Sequence, residues 1–465
     1  MDKTLMAVDI GAGSGRIFTG AYDGERLSIQ EECRFVHRPV RVGNEIYLNF
    51  LGIWDAVRKG MAASAKKNGA IVSAGIDSFT PDFCMVDPGG TFVGNMLSYR
   101  TMLGSGVLKE VLKQSDPWEL FQYTGLQANE ILMLPQLLHM YKGNQKWMLE
   151  QCKALPLANA IEYLLTGEIS MDFTAASVTM LWDSRKRDLS SELIRKFLGK
   201  ADFFPKIEKN QSIKGTVGGL YKDEGIEGIR IINSGVHDTA AATYALNLMA
   251  KGQICMNCGT WTSISIVVDE PIINKTAFSC GLTNYGLPDG TYMFGTVMLG
   301  LFYLQECKEE WAAEGKDYSY ETLTRMAMDA RSFNMDLDDP VFAEDRSLVT
   351  RRIQAYFARR GMEAPQTTGE YVHCIIKSLV LKYKRTIELL ETATGCCFEK
   401  IYMGGGGTKS ELLLSLMGQI IGKEIICSAS EITVMGNLLS QLIALDEIQA
   451  DDAGQILCAS FEINE

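Results

Sequence analysis

The chain has 465 residues, 46% of them hydrophobic, with 57 acidic side chains against 45 basic ones and a net charge of −12. At about 100–200 residues per domain, that length is too great for one compact core and fits two. No Lys/Arg-rich tract offsets the acidic excess, so the surface field repels nucleic acid and anionic membrane, and the expected partners are small molecules.

The opening reads as a β-meander, Leu5 to Ile10, Arg16 to Ala21 and Leu27 to Phe35, with a turn at Asp23-Gly24. Between its first two strands lies Asp9-Ile10-Gly11-Ala12-Gly13-Ser14-Gly15-Arg16. Glycine accepts positive φ and puts no Cβ between backbone N–H groups and an anion, so such a turn can cradle phosphate. Asp9 adds a carboxylate suited to holding Mg²⁺ through water, and Arg16 a cation that never loses its charge. No Gly-Lys-Ser/Thr follows, and the next segment is a strand, so this is not a P-loop.

Next come an amphipathic helix from Ile53 to about Lys67, stopped by Asn68-Gly69, and a buried strand from Ile71 to Asp77. Asp87-Pro88-Gly89-Gly90 turns a second hairpin. Residues 103–165 read as mainly helical, broken near Leu134-Pro135 and Leu155-Pro156. A strand from Arg230 to Ser234 leads into Gly235-Val236-His237-Asp238-Thr239, and the small residues Ala240-Ala241-Ala242 open a helix. Asp238 thus sits at a strand-to-helix corner, where it could expose a carboxylate or cap the helix.

The hairpin pattern returns at Asn257-Cys258-Gly259-Thr260-Trp261-Thr262-Ser263, between strands around Gln253 to Met256 and Thr262 to Val268. Either copy alone would be an ordinary turn; the repetition gives them weight. Cys255 and Cys258, three apart on a strand, face opposite sides, and with four histidines in the chain a metal–thiolate site is not expected. The twelve cysteines, irregularly spaced, read as free thiols. The stretch from Glu306 to Arg359 is charged and helical, a solvated face broken at Asp338-Asp339-Pro340. A helical stripe of apolar residues from Tyr371 to Thr394 stops at Gly395. In Met403-Gly404-Gly405-Gly406-Gly407-Thr408-Lys409-Ser410, four glycines follow the strand Lys400 to Tyr402 and open the helix Glu411 to Gly418. Their backbone entropy cost points to a ligand approaching the main chain at a helix N-terminus.

The N-terminus, Met1-Asp2-Lys3-Thr4, runs straight into a strand bearing Asp9, unlike a secretory leader, and no apolar run approaches a membrane span. A cytoplasmic protein, monomer or homodimer, is expected.

Read in order, Ala7 to Arg16, Gly75-Ile76-Asp77, Leu165-Thr166-Gly167-Glu168, His237-Asp238-Thr239-Ala240, Gly259-Thr260-Trp261, Gly300 to Gln305, the glycine cluster, and Gly436-Asn437 before Leu445-Asp446-Glu447 resemble the FGGY carbohydrate kinases, among them the rhamnulokinases, along essentially the whole chain. The resemblance implies an α/β, two-domain actin-like ATPase (ribonuclease H-like) fold, with a mixed central sheet flanked by helices in each domain. It implies a sugar-binding N-terminal domain with the first phosphate loop at 1–246, and a nucleotide-binding C-terminal domain at 247–465. ATP and Mg²⁺ are implied, with a small ketose as acceptor, L-rhamnulose at O1 first among the candidates. L-fuculose, xylulose or a polyol is the alternative, and a non-catalytic sugar- or nucleotide-binding homologue the third reading.

By the same resemblance Asp238 takes the catalytic-base position and Asp9 assists the metal. Gly11, Gly13, Ser14 and Arg16 would meet the phosphates with Gly259 and Thr260. Gln305, Gly405 and Gly406 would line the nucleotide cleft, with Asn437 near the adenine end. The sugar would be held by Asp82, Phe83, Tyr99, Arg100, His237 and Thr239. Departures from the family pattern fall mostly on the acceptor side: Ser78-Phe79-Thr80-Pro81-Asp82-Phe83 for Thr-Trp-Gly-Val-Asp-Phe, and Thr101 for the aspartate after Tyr99-Arg100. Others are Ala158-Asn159 for Pro-Asp, Val297 for asparagine and Ser415 for glutamine.

Overall fold

The structure, a computed structural model, describes residues 3–199, 202–344 and 348–461. Met1 and Asp2, where the reading of the N-terminus starts, lie outside them. At the centre of the first sheet is the strand Lys3–Ile10, buried from Leu5 to Ile10, as an apolar run interrupted only by Asp9 requires of a strand covered on both faces. It pairs antiparallel with Ser14–Tyr22, which pairs in turn with Leu27–Val36, completing the expected meander. Its other edge runs parallel to Ile71–Ser78, followed by Arg230–Ile232 and Ile213–Thr216. This register sets Asp9 opposite Arg16 on one side and beside Asp77 on the other.

Several helices pack on this sheet, two of them along its central strands. Phe50–Asn68 begins where the Asn49 side chain accepts the Gly52 N–H, buries Ile53, Val57 and Met61 at a four-residue spacing, and stops at Gly69. Ile432–Ala444 packs against Lys3–Ile10 and Ile71–Ser78. Its approach is close: a Cβ on Gly436 would lie 2.1 Å from the Ala241 carbonyl oxygen, and one on Gly75 would lie 2.2 Å from Asn437 Oδ1.

The strand order then recurs. Ile254–Cys258 pairs antiparallel with Trp261–Val268 and parallel with Lys400–Gly404, which runs parallel to Glu424–Cys427. Tyr292–Leu299 lies beyond Trp261–Val268. In both sheets the first strand of a hairpin is central, flanked by its hairpin partner and by a later parallel strand, the ribonuclease H-like arrangement. The chain forms two compact units, but they are not separated by one cut near residue 246. Besides the residues up to Met249, the first unit includes Val267–Phe294 and everything from Ile432 onward; the second is Ala250–Ile266 with Gly295–Glu431.

Some other expectations stand and others need adjusting. The break near Leu134-Pro135 stands: residues 125–132 are non-helical, and Pro135 lies in the first turn of Met133–Lys142, where no N–H is needed for the helix ladder. Leu155-Pro156 ends a short strand, Lys153–Pro156, that pairs with Phe83–Val86. The charged stretch is not merely a solvated face: its helices bury Trp311, Leu323, Ile353 and Phe357. The helix Thr368–Thr394 does end at Gly395, in left-handed geometry at φ +70°. None of the twelve cysteines is in a disulfide, and no described helix is long and apolar enough to cross a membrane.

Candidate active site

The first hairpin is held by its carbonyls. The Gly11 oxygen accepts from His37 Nε2 at 2.9 Å, Ala12 from Arg100 Nη2 at 3.1 Å, and Gly13 from the His37 backbone N–H at 3.1 Å. The N–H groups of Ala12 and Gly13 have no protein acceptor among the described contacts, and Gly13 is exposed. Carbonyls tied down and amides left open are what an anion cradle requires.

Beneath the hairpin, Arg16 Nη2 meets Asp9 Oδ2 at 2.6 Å. Burial pushes the Asp9 carboxyl up, the Arg16 guanidinium pulls it back, and the Asp238 charge raises it further. Asp77 is fully buried and receives the Asn437 amide at 2.6 Å on Oδ2, while Oδ1 has no hydrogen-bond partner. Its carboxyl is held well above the usual range by burial and then by the charges of Asp9 and Asp238, against the Asn437 bond. Asp9, Asp77 and Asp238 therefore share one electrostatic neighbourhood, with Arg16 as its cation.

Asp238 is the first residue of the helix Asp238–Ala250 rather than its cap. Its Oδ1 accepts the Thr239 N–H at 2.5 Å and the Thr239 hydroxyl at 3.1 Å, and its side chain is 29% exposed. Burial raises its pKa and the Thr239 bonds oppose the rise, a shift in the direction that suits a general base. His237 is pushed down to about 4 by burial; it is neutral near pH 7, so its 3.8 Å approach to Asp238 is no ion pair there.

Not every acceptor-side expectation survives. Asp82 is fully buried: Oδ1 accepts the Tyr99 N–H at 2.6 Å and Oδ2 has no partner. Burial pushes its pKa up to about 7. It offers no surface to a sugar and instead braces the Tyr99–Arg100 turn. Phe83 is 4% exposed and belongs to the core. Tyr99 is 8% exposed, with Phe79 edge-on at 6.1 Å and the Arg100 guanidinium over its ring at 5.8 Å. Thr101, in place of a carboxylate, exchanges hydrogen bonds with both backbone groups of Ile46. Asn159 is fully buried and donates to Glu162, the partner of the fully buried Lys214. Val297 and Ser415 lie in the second unit.

In the second unit, Gly259 and Thr260 form the matching hairpin. The Gly259 carbonyl accepts from Leu301 N, and the Thr260 carbonyl from Gly300 and Phe302 N, so the start of the helix Phe302–Ala313 does the holding. Gln305 Oε1 receives the Thr260 hydroxyl at 2.9 Å. The glycine cluster does not open a helix directly: a 3₁₀ turn, Gly406–Lys409, intervenes before Glu411–Ile420. Packing accounts for two of its glycines. A Cβ on Gly405 would lie 2.6 Å from Asn257 Oδ1 and the Cys258 oxygen, and one on Gly407 2.5 Å from Cys258 Sγ. Only Gly406 is exposed with nothing within 4 Å of a Cβ, so it alone keeps the ligand reading on steric grounds.

Residues 4–245 match the N-terminal domain, and residues 254–445 the C-terminal domain, of the FGGY family of carbohydrate kinases. The chain belongs to this family. As an FGGY kinase it is a phosphotransferase acting on a sugar hydroxyl, with a two-domain actin-like fold. It is 28% identical to a rhamnulokinase of Oceanobacillus iheyensis, over 100% of this chain and 98% of that one. It is 26% identical to a rhamnulokinase of Bacteroides thetaiotaomicron, over 96% and 92%. Similar folds include a gluconate kinase from Lactobacillus acidophilus (TM-score 0.80, 18% identity, 98% and 92% covered) and a Plasmodium falciparum glycerol kinase with ADP (0.80, 16%, 99% and 93%).

Within this FGGY kinase, Asn437 is a correction: fully buried in the first unit, it spends its amide on Asp77 and has no surface for an adenine ring. The sequence reading gave no role to His37 or Gln441. Gln441, fully buried, donates to the Met6 carbonyl and to Asn437 and accepts from Ser73. Two amide side chains at four-residue spacing on a mostly apolar helix, Asn437 and Gln441, were the available signal.

Proposed function

We propose that this chain transfers the γ-phosphoryl group of ATP to a hydroxyl of a small ketose, with L-rhamnulose at O1 the first acceptor to test and Asp238 the base. One observation carries this reading. Asp238 projects from a strand-to-helix corner with a partly exposed carboxylate and a raised pKa, in the same neighbourhood as Asp9 and Arg16. As the sugar hydroxyl attacks phosphorus, Asp238 accepts its proton. Arg16 and the open amides of the first hairpin stabilise charge on the phosphate oxygens, as a loose transition state demands. The full-length likeness to rhamnulokinases supports the choice of acceptor.

A carboxylate at a strand end is a hard-oxygen donor of the kind Mg²⁺ takes, and Asp9 would hold that ion through water, since Arg16 already engages Oδ2. When bound, the ion neutralises phosphate charge.

A second acceptor, L-fuculose, xylulose or a polyol, is favoured by the inward use of Asp82 and Thr101, which leaves fewer polar groups for sugar hydroxyls. The experiment is acceptor-dependent ADP release across a ketose and polyol panel, with Asp238→Asn alongside. A phosphorylated product with the parent and a loss of about 10²–10⁴ in turnover with the variant are expected. ATP binding with no product from any acceptor would end the reading, and a fully active variant would end the role of Asp238.

A further inference from the structure

Beside the corner that bears Asp238 lies a buried carboxylate with no role so far. Asp172 precedes the short helix Phe173–Ser177 and is fully buried. Its oxygens accept from Ala175 N at 2.9 Å, from the Thr174 hydroxyl at 3.0 Å, from Asn210 Nδ2 at 2.5 Å and from Val236 N at 2.9 Å. Only the first of these is the bond a helix cap makes. The Thr174 hydroxyl, having donated to Asp172, accepts the His237 N–H at 3.2 Å. The two successive amides that lead to Asp238 are thus each held by one side chain of this pair.

The rest of the turn is fixed as well. The Val236 carbonyl accepts Ser78 N at 2.8 Å. Gly235 adopts φ +96°, where a Cβ would lie 2.6 Å from Pro288 Cγ. The segment has one seat, and Asp172 and Thr174 form its floor.

We propose that Asp172 and Thr174 are positioning residues for phosphoryl transfer: by gripping the Val236 and His237 amides they set the direction in which the Asp238 carboxylate leaves its corner. This rests on Asp238 being the base. Neither residue touches the reactants. Their effect is geometric, and a displacement of about 1 Å at a reacting group costs roughly 10²-fold in rate.

Asp172→Asn keeps the size but turns an NH₂ group towards N–H donors, so the turn loses an acceptor. We expect turnover to fall about 10–100-fold while KM for ATP stays within about 2-fold, since the nucleotide elements are untouched. Thr174→Val should show the same split, and Thr174→Ser, which keeps the hydroxyl, should recover most of the parent rate. The Thr174 pair carries the test if Asp172→Asn does not fold, with thermal unfolding and active-site titration reporting the folded fraction. In an Asp238→Asn background, Asp172→Asn or Thr174→Val should cost nothing further, because the group being aimed is gone. Parent turnover in both single variants would overturn the inference. So would a loss that adds in full to that of Asp238→Asn, or a serine variant as poor as the valine one. A fully active Asp238→Asn single variant would remove the base assignment and this inference with it, and is recognised without either positioning variant.

Discussion

The two glycine hairpins share a strand order and differ in how they are charged and held. At the first, the pleat sets Asp9 across from Arg16 and beside Asp77; at the second, the equivalent places carry Asn257, Ser263 and Gly404, none of them charged. The first is tied by the side chains of His37 and Arg100, the second by the backbone amides of Gly300, Leu301 and Phe302. One sheet repeat thus carries charged groups around its hairpin, and the other carries a neutral turn tied by backbone amides.

The largest expected effect tests the charge difference. Asp9→Asn should lower turnover by about 10²–10³-fold, the scale of losing a preorganised electrostatic group. Asn257→Ala should cost no more than about 10-fold, mainly in KM for ATP, the scale of one or two hydrogen bonds. Steady-state kinetics on the two variants would break the comparison if the order were reversed.

The next prediction concerns the outer brace of the first hairpin, which runs from Asp82 through Tyr99 to Arg100. Asp82 rises from an ordinary 3.8 to about 7 on folding, so the unfolded chain gives up its proton first. Stability is lost as pH rises from about 4 to about 7 and is level above, with a ceiling of roughly 4 kcal/mol. His237, held down to about 4, works the other way, adding stability as pH rises through about 4 to 6.5. The readout is therefore the difference between parent and Asp82→Asn. Denaturant unfolding should show the variant gaining about 2–3 kcal/mol relative to the parent between pH 5 and pH 8; a difference that does not change with pH would contradict it.

At the second hairpin the sensitive point is steric. A Cβ on Gly300 would lie 2.2 Å from Thr262 Oγ1 and 2.7 Å from the Gly259 oxygen. Gly300→Ala should therefore destabilise the fold by about 1–3 kcal/mol and raise KM for ATP. The smallest effect should come from His37→Ala, which removes the side-chain tie to Gly11 and should raise KM for ATP by about 5–10-fold, near 1 kcal/mol. An unchanged KM would mean the first hairpin keeps its shape without that tie.

Legibility in the sequence followed the range of the forces involved. The meander, the helix that stops at Gly395 and the corner at Asp238 are local patterns, and each stands where its residues indicate. Asp82, Asn437 and the glycine cluster misled because their roles depend on remote partners. Asn437 meets Asp77 across 360 residues, and Gly405 and Gly407 are small because Asn257 and Cys258 press against them. His37 was silent because a single histidine carries no pattern, and its acceptor is a backbone oxygen 26 residues away.

The return of the helix Ile432–Ala444 to the first sheet has a consequence for biosynthesis. During translation, Ser73, Asp77 and the Met6 carbonyl emerge long before the glutamine and asparagine that satisfy them. The first sheet must wait for a helix some 360 residues downstream of Asp77, so chains cut short before Ile432 should be recognised by quality control as unfinished at that sheet.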